Sequence, residues 1–142
     1  MDTGYLLMNI SKQLKYNLNQ VLNTKGITVQ QWAVIQQLSL KDERTAVLLS
    51  EALDMDKPTI SGIIKRLEKK GLVIKTENPS DLRSQLISLT DSGHEILGEC
   101  QAISEQILAN YLTVLSTDEQ TTLNVLLTKI NQENNQIEKR NV

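Results

Sequence analysis

TAVLLSEALDMDKPTISGIIKRLEKKGLVIKTENPSDLRSQLISLT, residues Thr45–Thr90, is the stretch whose reading decides the fold. From about Thr45 to Leu53 the apolar residues Leu48, Leu49, Ala52 and Leu53 predict a short helix with those four inward. Asp54-Met55-Asp56 makes a tight turn, and Asp56 is placed to cap a second helix. Pro58 sits in the first turn of that helix, where its missing N–H costs little. Ile60, Ile63, Ile64 and Leu67 follow the i, i+3, i+4, i+7 rule and predict one buried face. The opposite face carries Pro58, Gly62, Lys65 and Lys69, flanked by Thr59, Ser61 and Arg66. Gly71 stops the helix. Leu72–Glu77 and Gln85–Leu89 read as strands, joined through the turn chemistry of Asn78-Pro79-Ser80-Asp81.

Helix, turn, helix and hairpin, in that order, make a winged helix-turn-helix, an arrangement that presents one helix to a DNA groove. Charge points the same way. Between Lys57 and Arg83 seven cations oppose three carboxylates, a balance of +4, whereas the whole chain carries −2; the remainder therefore carries −6. A positive surface on an acidic body favours local contact with phosphate. A solvated helix face is the other reading of the same charges.

Working outward, residues 5–24 carry Leu6, Leu7, Ile10, Leu14, Leu18, Val21 and Leu22 on one helical stripe, ended by Lys25-Gly26. Thr28 and Gln31 form a capping-box pattern for the next helix, whose buried face is predicted as Val29, Trp32, Ile35 and Leu38. Lys41–Arg44 is read as a charged loop. Thr90 caps a long helix over roughly 91–114, striped by Ile96, Cys100, Ile103, Ile107 and Leu108. Ser116 and Glu119 form a second capping box before a helix striped by Leu123, Leu126, Leu127 and Ile130. Residues Glu133–Val142 lose apolar density and are expected to fray. The fold class expected is thus mainly α with a small β-hairpin. With 142 residues, 3% aromatics and no Phe, one aliphatic core is expected. One cysteine, no signal-peptide pattern and no bilayer-length apolar run predict a cytoplasmic protein without membrane contact.

Two helices, a winged unit and two long helices, in that order, resemble the MarR family of bacterial transcription regulators. The residues that carry the likeness are KPTISGIIKRLEKKGLV at Lys57–Val73, Asp81-Leu82-Arg83, LTDSG at Leu89–Gly93, and ITVQQWAVIQQL at Ile27–Leu38. The resemblance implies one MarR-like domain over 1–142, with the winged unit at about 28–90 and dimerisation helices at about 5–24 and 91–138. It implies a homodimer that reads two-fold symmetric DNA and acts as a repressor responding to a small ligand or other signal. The long aliphatic stripes of the terminal helices make dimerisation plausible on their own account, because one 46-residue winged unit cannot cover them all.

Contact with double-stranded DNA carrying an inverted repeat is assigned to Thr59, Ser61 and Lys65 for base edges or adjacent phosphate, and to Lys57, Arg66 and Lys69 for phosphate. Pro58 and Gly62 let the backbone come close. Short hydroxyls at a helix start also bond nearby backbone, the plainer role for Thr59 and Ser61. Arg83 matches the family arginine that enters the minor groove, and Asp81 the carboxylate that orients it; Leu82 stands where a polar or basic residue is frequent. The resemblance further implies an effector crevice between the dimer helices and the winged unit. Leu14, Leu18, Trp32 and Ile35 are candidates to line it, with ordinary core packing as their alternative.

Cys100 is in register with Ile96, Ile103 and Ile107 and reads as a small core hydrophobe rather than a redox sensor. His94, the single histidine, reads as solvated, without metal-site spacing around it. No cofactor, metal or catalytic constellation is expected, so the chain is read as a non-enzyme. The competing hypothesis is a winged-helix protein-interaction module that does not read DNA.

Overall fold

Asp2 opens the first helix, α1 (Thr3–Thr24), by accepting the Tyr5 amide at 2.8 Å. The helix closes at Gly26 (φ 72°), where the amides of Gly26 and Ile27 reach back to Asn23 and Leu22 at 3.1 and 3.0 Å. This paired return satisfies two carbonyls that the helix end would otherwise orphan. The computed structural model describes residues 1–140. Thr28 and Gln31 form both halves of the expected capping box at the start of α2 (Val29–Leu40).

The loop expected at Lys41–Arg44 ends in a short strand instead, β1 (Arg44–Thr45), after which come α3 (Ala46–Leu53) and α4 (Lys57–Lys69). The hairpin strands are β2 (Val73–Glu77) and β3 (Gln85–Leu89), and the long helices are α5 (Asp91–Leu112) and α6 (Thr117–Arg140). The three strands form an antiparallel sheet in the order β1-β3-β2, with Arg44 opposite Ile87 and Val73 opposite Leu89. A two-residue strand has no periodicity to read. It exists because β3 offers a free edge to a chain arriving from α2.

The chain divides into two compact units, residues 1–105 and the residues from Gln106 onward. In the first, Ile60, Ile63, Ile64 and Leu67 of α4 are all buried against a core that includes Leu22, Trp32, Ile35, Leu38, Leu49 and Ile87. Burying each such aliphatic side chain contributes about 1.5–3 kcal/mol, so α4 is pinned mainly by this face. Three inward expectations fail. Val29 is 39% and Leu48 47% exposed, and Ala52 is exposed too. Val29 occupies the first turn of α2, outside the covered stretch. The eight residues of α3 give barely two turns, and the line through Leu49 and half-buried Leu53 takes the core side; Leu48 and Ala52 lie one position earlier, about 100° away.

In the second unit, the Ser116–Glu119 capping box forms as expected, with reciprocal bonds of 3.2 and 2.9 Å. Gln120 Nε2 closes the turn by donating to the carbonyls of Leu112 and Leu115 at 2.9 and 3.2 Å. Leu123 is half-buried, whereas Leu126, Leu127 and Ile130 are exposed. The backbone is helical past Glu133, where apolar density falls, as far as Arg140; Asn141 and Val142 lie outside the described residues. No helix among the described residues is long and apolar enough to cross a membrane.

Candidate nucleic-acid interface

The outward face of α4 is fixed by the burial of its inward one. With the isoleucines and Leu67 in the core, Lys57, Pro58, Ser61, Lys65, Arg66 and Lys69 are exposed, and Thr59 and Gly62 are half-buried. Asp56 caps the helix, accepting the Thr59 amide at 2.7 Å. The Thr59 side chain and amide together hold the Asp56 carboxyl below its ordinary pKa. The Thr59 amide is thus part of the helix start, and its side chain lies beside the capping carboxylate. A Cβ at Gly62 would meet nothing closer than Arg66 Nη1 at 3.8 Å, so α4 has room there.

α4 ends at Gly71, whose φ of 74° suits a residue without a Cβ. Leu72 N returns to Leu67 O at 3.0 Å, and the chain turns directly into β2. The wing beyond it is knit by short-range bonds. Asn78 Oδ1 accepts the Ser80 amide at 3.1 Å, its Nδ2 donates to Ser84 Oγ at 3.0 Å, and Asp81 O accepts the Ser84 amide at 3.1 Å. Asp81 Oδ1 accepts the Arg83 backbone N–H at 3.0 Å and its Nε–H at 3.3 Å. The Arg83 side chain remains 93% exposed, held at its base and extended into solvent.

Helix and wing face one side. Ser61 of α4 and Arg83 of the wing line the same cavity of about 310 Å3, together with Thr45, Lys75 and Gln85. Lys75 pairs with Glu68 at 3.7 Å, and Lys70 bonds inward to the α1–α2 turn. Among the described residues Lys57, Lys65, Arg66 and Lys69 have no carboxylate partner, so the cationic ridge is narrower than the sequence count but uncompensated. Sequence reading missed the inward turn of Lys70, whose signal is a buried glutamine 39 residues away.

A family model described as "MarR family" matches residues 25–84. The multiple antibiotic resistance protein MarR of Escherichia coli (strain K12) is 32% identical over 128 residues, spanning 89% of each chain. The chain belongs to the MarR family. The crystal structure of wild-type apo MarR from E. coli superposes with a TM-score of 0.83 at 29% identity, covering 92% of this chain and 96% of that one. A Staphylococcus aureus MepR–DNA complex matches with a TM-score of 0.76 at 27% identity, covering 94% and 98%. The winged unit of this MarR-family chain therefore has its counterpart in a protein crystallised with DNA.

The remaining expected site residues fall elsewhere. Trp32 and Ile35 are buried in the core of the first unit, Leu18 packs against that core, and Leu14 is half-buried on α1. Cys100 is buried, and desolvation pushes its thiol above the ordinary value; Glu99 adds to the shift and Lys25 opposes it. His94 is exposed.

Proposed function

We propose that this MarR-family chain is a DNA-binding transcriptional regulator, a homodimeric repressor that reads an inverted repeat and releases it on a small-molecule signal. The observation that carries the reading is the arrangement of α4. Its aliphatic face is anchored in the core, while Lys57, Ser61, Lys65, Arg66 and Lys69 project on the side shared with Arg83. In this reading Ser61 and Lys65 lie against base edges in the major groove, the other cations neutralise phosphate, and Arg83 enters the minor groove. Thr59, Pro58 and Gly62 shape the close approach, and Asp81 orients Arg83.

Two copies are required because one winged unit reads only half a site. Uncovered apolar side chains supply the means: Leu6, Leu7 and Ile10 on α1, and Leu126, Leu127 and Ile130 on α6, are exposed in the single chain. The proposed effector lies beside half-buried Leu14 and Leu18, with Trp32 and Ile35 in the core behind Leu18, and binding changes the separation of the two α4 helices relative to half-sites about 34–36 Å apart. Such work places the chain in the cytoplasm, with access to the chromosome, and calls for no catalytic step.

Selection of bound duplexes from a random pool tests the reading, with sedimentation giving the oligomeric state. Recovery of an inverted repeat by a dimer is expected. A monomer without preference among duplexes at moderate salt would overturn it. Trp32, the single tryptophan, gives a fluorescence report of effector binding.

A further inference from the structure

Lys70 belongs by sequence to the cationic stretch, yet its ammonium is turned toward the junction of α1 and α2. Nζ donates to the Gly26 carbonyl and, at 2.9 Å, to Gln31 Oε1. Gln31 is only 4% exposed, and the same Oε1 accepts the Thr28 amide at 3.2 Å. A buried amide oxygen thus receives two donors, one of them charged, the stronger kind of hydrogen bond. Lys70 is also the C-cap residue of α4, its amide bonded to Arg66 O at 3.1 Å. The next carbonyl, that of Gly71, accepts Thr90 Oγ1 at 2.6 Å.

Burial of the aliphatic face sets which side of α4 points outward, but apolar contact is non-directional and does not by itself fix the fine rotation or sliding of the helix along the core. A hydrogen bond at the helix end does. We propose that Lys70 is a positioning residue for DNA recognition: it pins the end of α4 to the capping box of α2, setting how Ser61 and Lys65 meet base edges, and it does not neutralise phosphate. This rests on the DNA-binding reading above. Direct readout is sensitive to helix placement, whereas phosphate attraction is tolerant of it.

The test compares Lys70→Met, Lys70→Arg, Gln31→Met and the Lys70→Met/Gln31→Met double variant. Binding is measured to a duplex recovered by selection with the wild type and to a random-sequence duplex of equal length, across salt concentrations. Lys70→Met and Gln31→Met should each lower the preference for the selected duplex by about tenfold, the loss of one good base contact. The double variant should be no worse than either single one, Lys70→Arg should retain the preference, and the salt slope should be unchanged. A slope reduced by about 0.9 with equal loss on both duplexes would make Lys70 a phosphate contact and overturn the proposal. So would an unchanged preference, which leaves only a role in stability.

Hydrogen exchange without DNA reads the latch separately. Amides in the last turn of α4 should exchange faster in Lys70→Met and Gln31→Met alike; unchanged exchange removes the latch. A wild type that prefers no duplex defeats the DNA-binding reading on its own, and exchange still decides the latch.

Discussion

A Cβ on Gly93 would stand 2.1 Å from the Leu72 carbonyl oxygen, so the first turn of α5 lies in backbone contact with the residue that leads into the wing. Thr90 completes the junction: its amide donates to Leu72 O at 3.1 Å, and its hydroxyl accepts the Gly93 amide at 3.0 Å. The wing and the long helix are thereby set against each other by main chain rather than by adaptable side chains.

Gly93→Ala should destabilise the protein by about 1–3 kcal/mol, because the obstacle is backbone and cannot rotate away. Gly98 lies in the same helix with nothing within 4 Å of its ideal Cβ. Gly98→Ala should therefore stabilise by about 0.5–1 kcal/mol through helix propensity. Urea unfolding of the two variants beside the wild type checks the opposite signs.

Asp54 ends α3 with φ 51°, a left-handed conformation that disfavours side chains other than Asn and Asp. Relieving it by Asp54→Gly should raise stability by about 0.5–1 kcal/mol, with Asp54→Ala lowering it. Thermal unfolding of both variants is the measurement. Equal midpoints would show the turn to be unstrained.

Acid should loosen the helix starts. Asp56 is held below its ordinary pKa by the Thr59 side chain and amide, and Glu119 by the Ser116 amide and side chain. A depressed carboxylate contributes stability that is fully present above its unfolded pKa and is lost as pH falls through the folded value. The window therefore begins near the ordinary carboxylate range, about 4, and extends downward. Asp56→Asn, which can still accept the Thr59 amide, should flatten this part of the pH dependence. Melting temperature tracked from neutral pH into acid, for wild type and variant, tests it.

Arg83→Ala should weaken binding to the selected duplex and reduce the dependence of affinity on salt, by a slope of about 0.9 for one phosphate-field contact. Leu82, 81% exposed at the wing tip, offers the converse. Leu82→Lys should steepen the salt dependence. Gel shifts at several salt concentrations report both; parallel lines for all three proteins would remove the wing from the interface.

Peroxide should leave DNA binding intact. Cys100 is fully buried and desolvation pushes its thiol above the ordinary value, and a buried thiol with a raised pKa is a poor nucleophile. Release of DNA by the treated wild type, absent in Cys100→Ser, would show the thiol to be reached.

Periodicity and cap chemistry are local properties, so they were legible in the residues themselves. The four aliphatics of α4, the boxes at Thr28–Gln31 and Ser116–Glu119, the stop at Gly71 and the turn at Asn78–Asp81 each depend on neighbours within a few positions. The outward face of α4 came with its inward one. Other features depend on partners far along the chain. β1 exists because β3 has a free edge, Val29 and Leu48 are exposed because of where the core lies, and Gly93 is a glycine because Leu72 arrives beside it. Lys70 is the plainest instance. By sequence it is one more cation on a basic helix, and only packing of the α1–α2 turn against the end of α4 gives its charge the buried Gln31 as partner. Short-range bonding chose the elements; which side chains meet across about 20 to 40 residues was decided by how those elements pack.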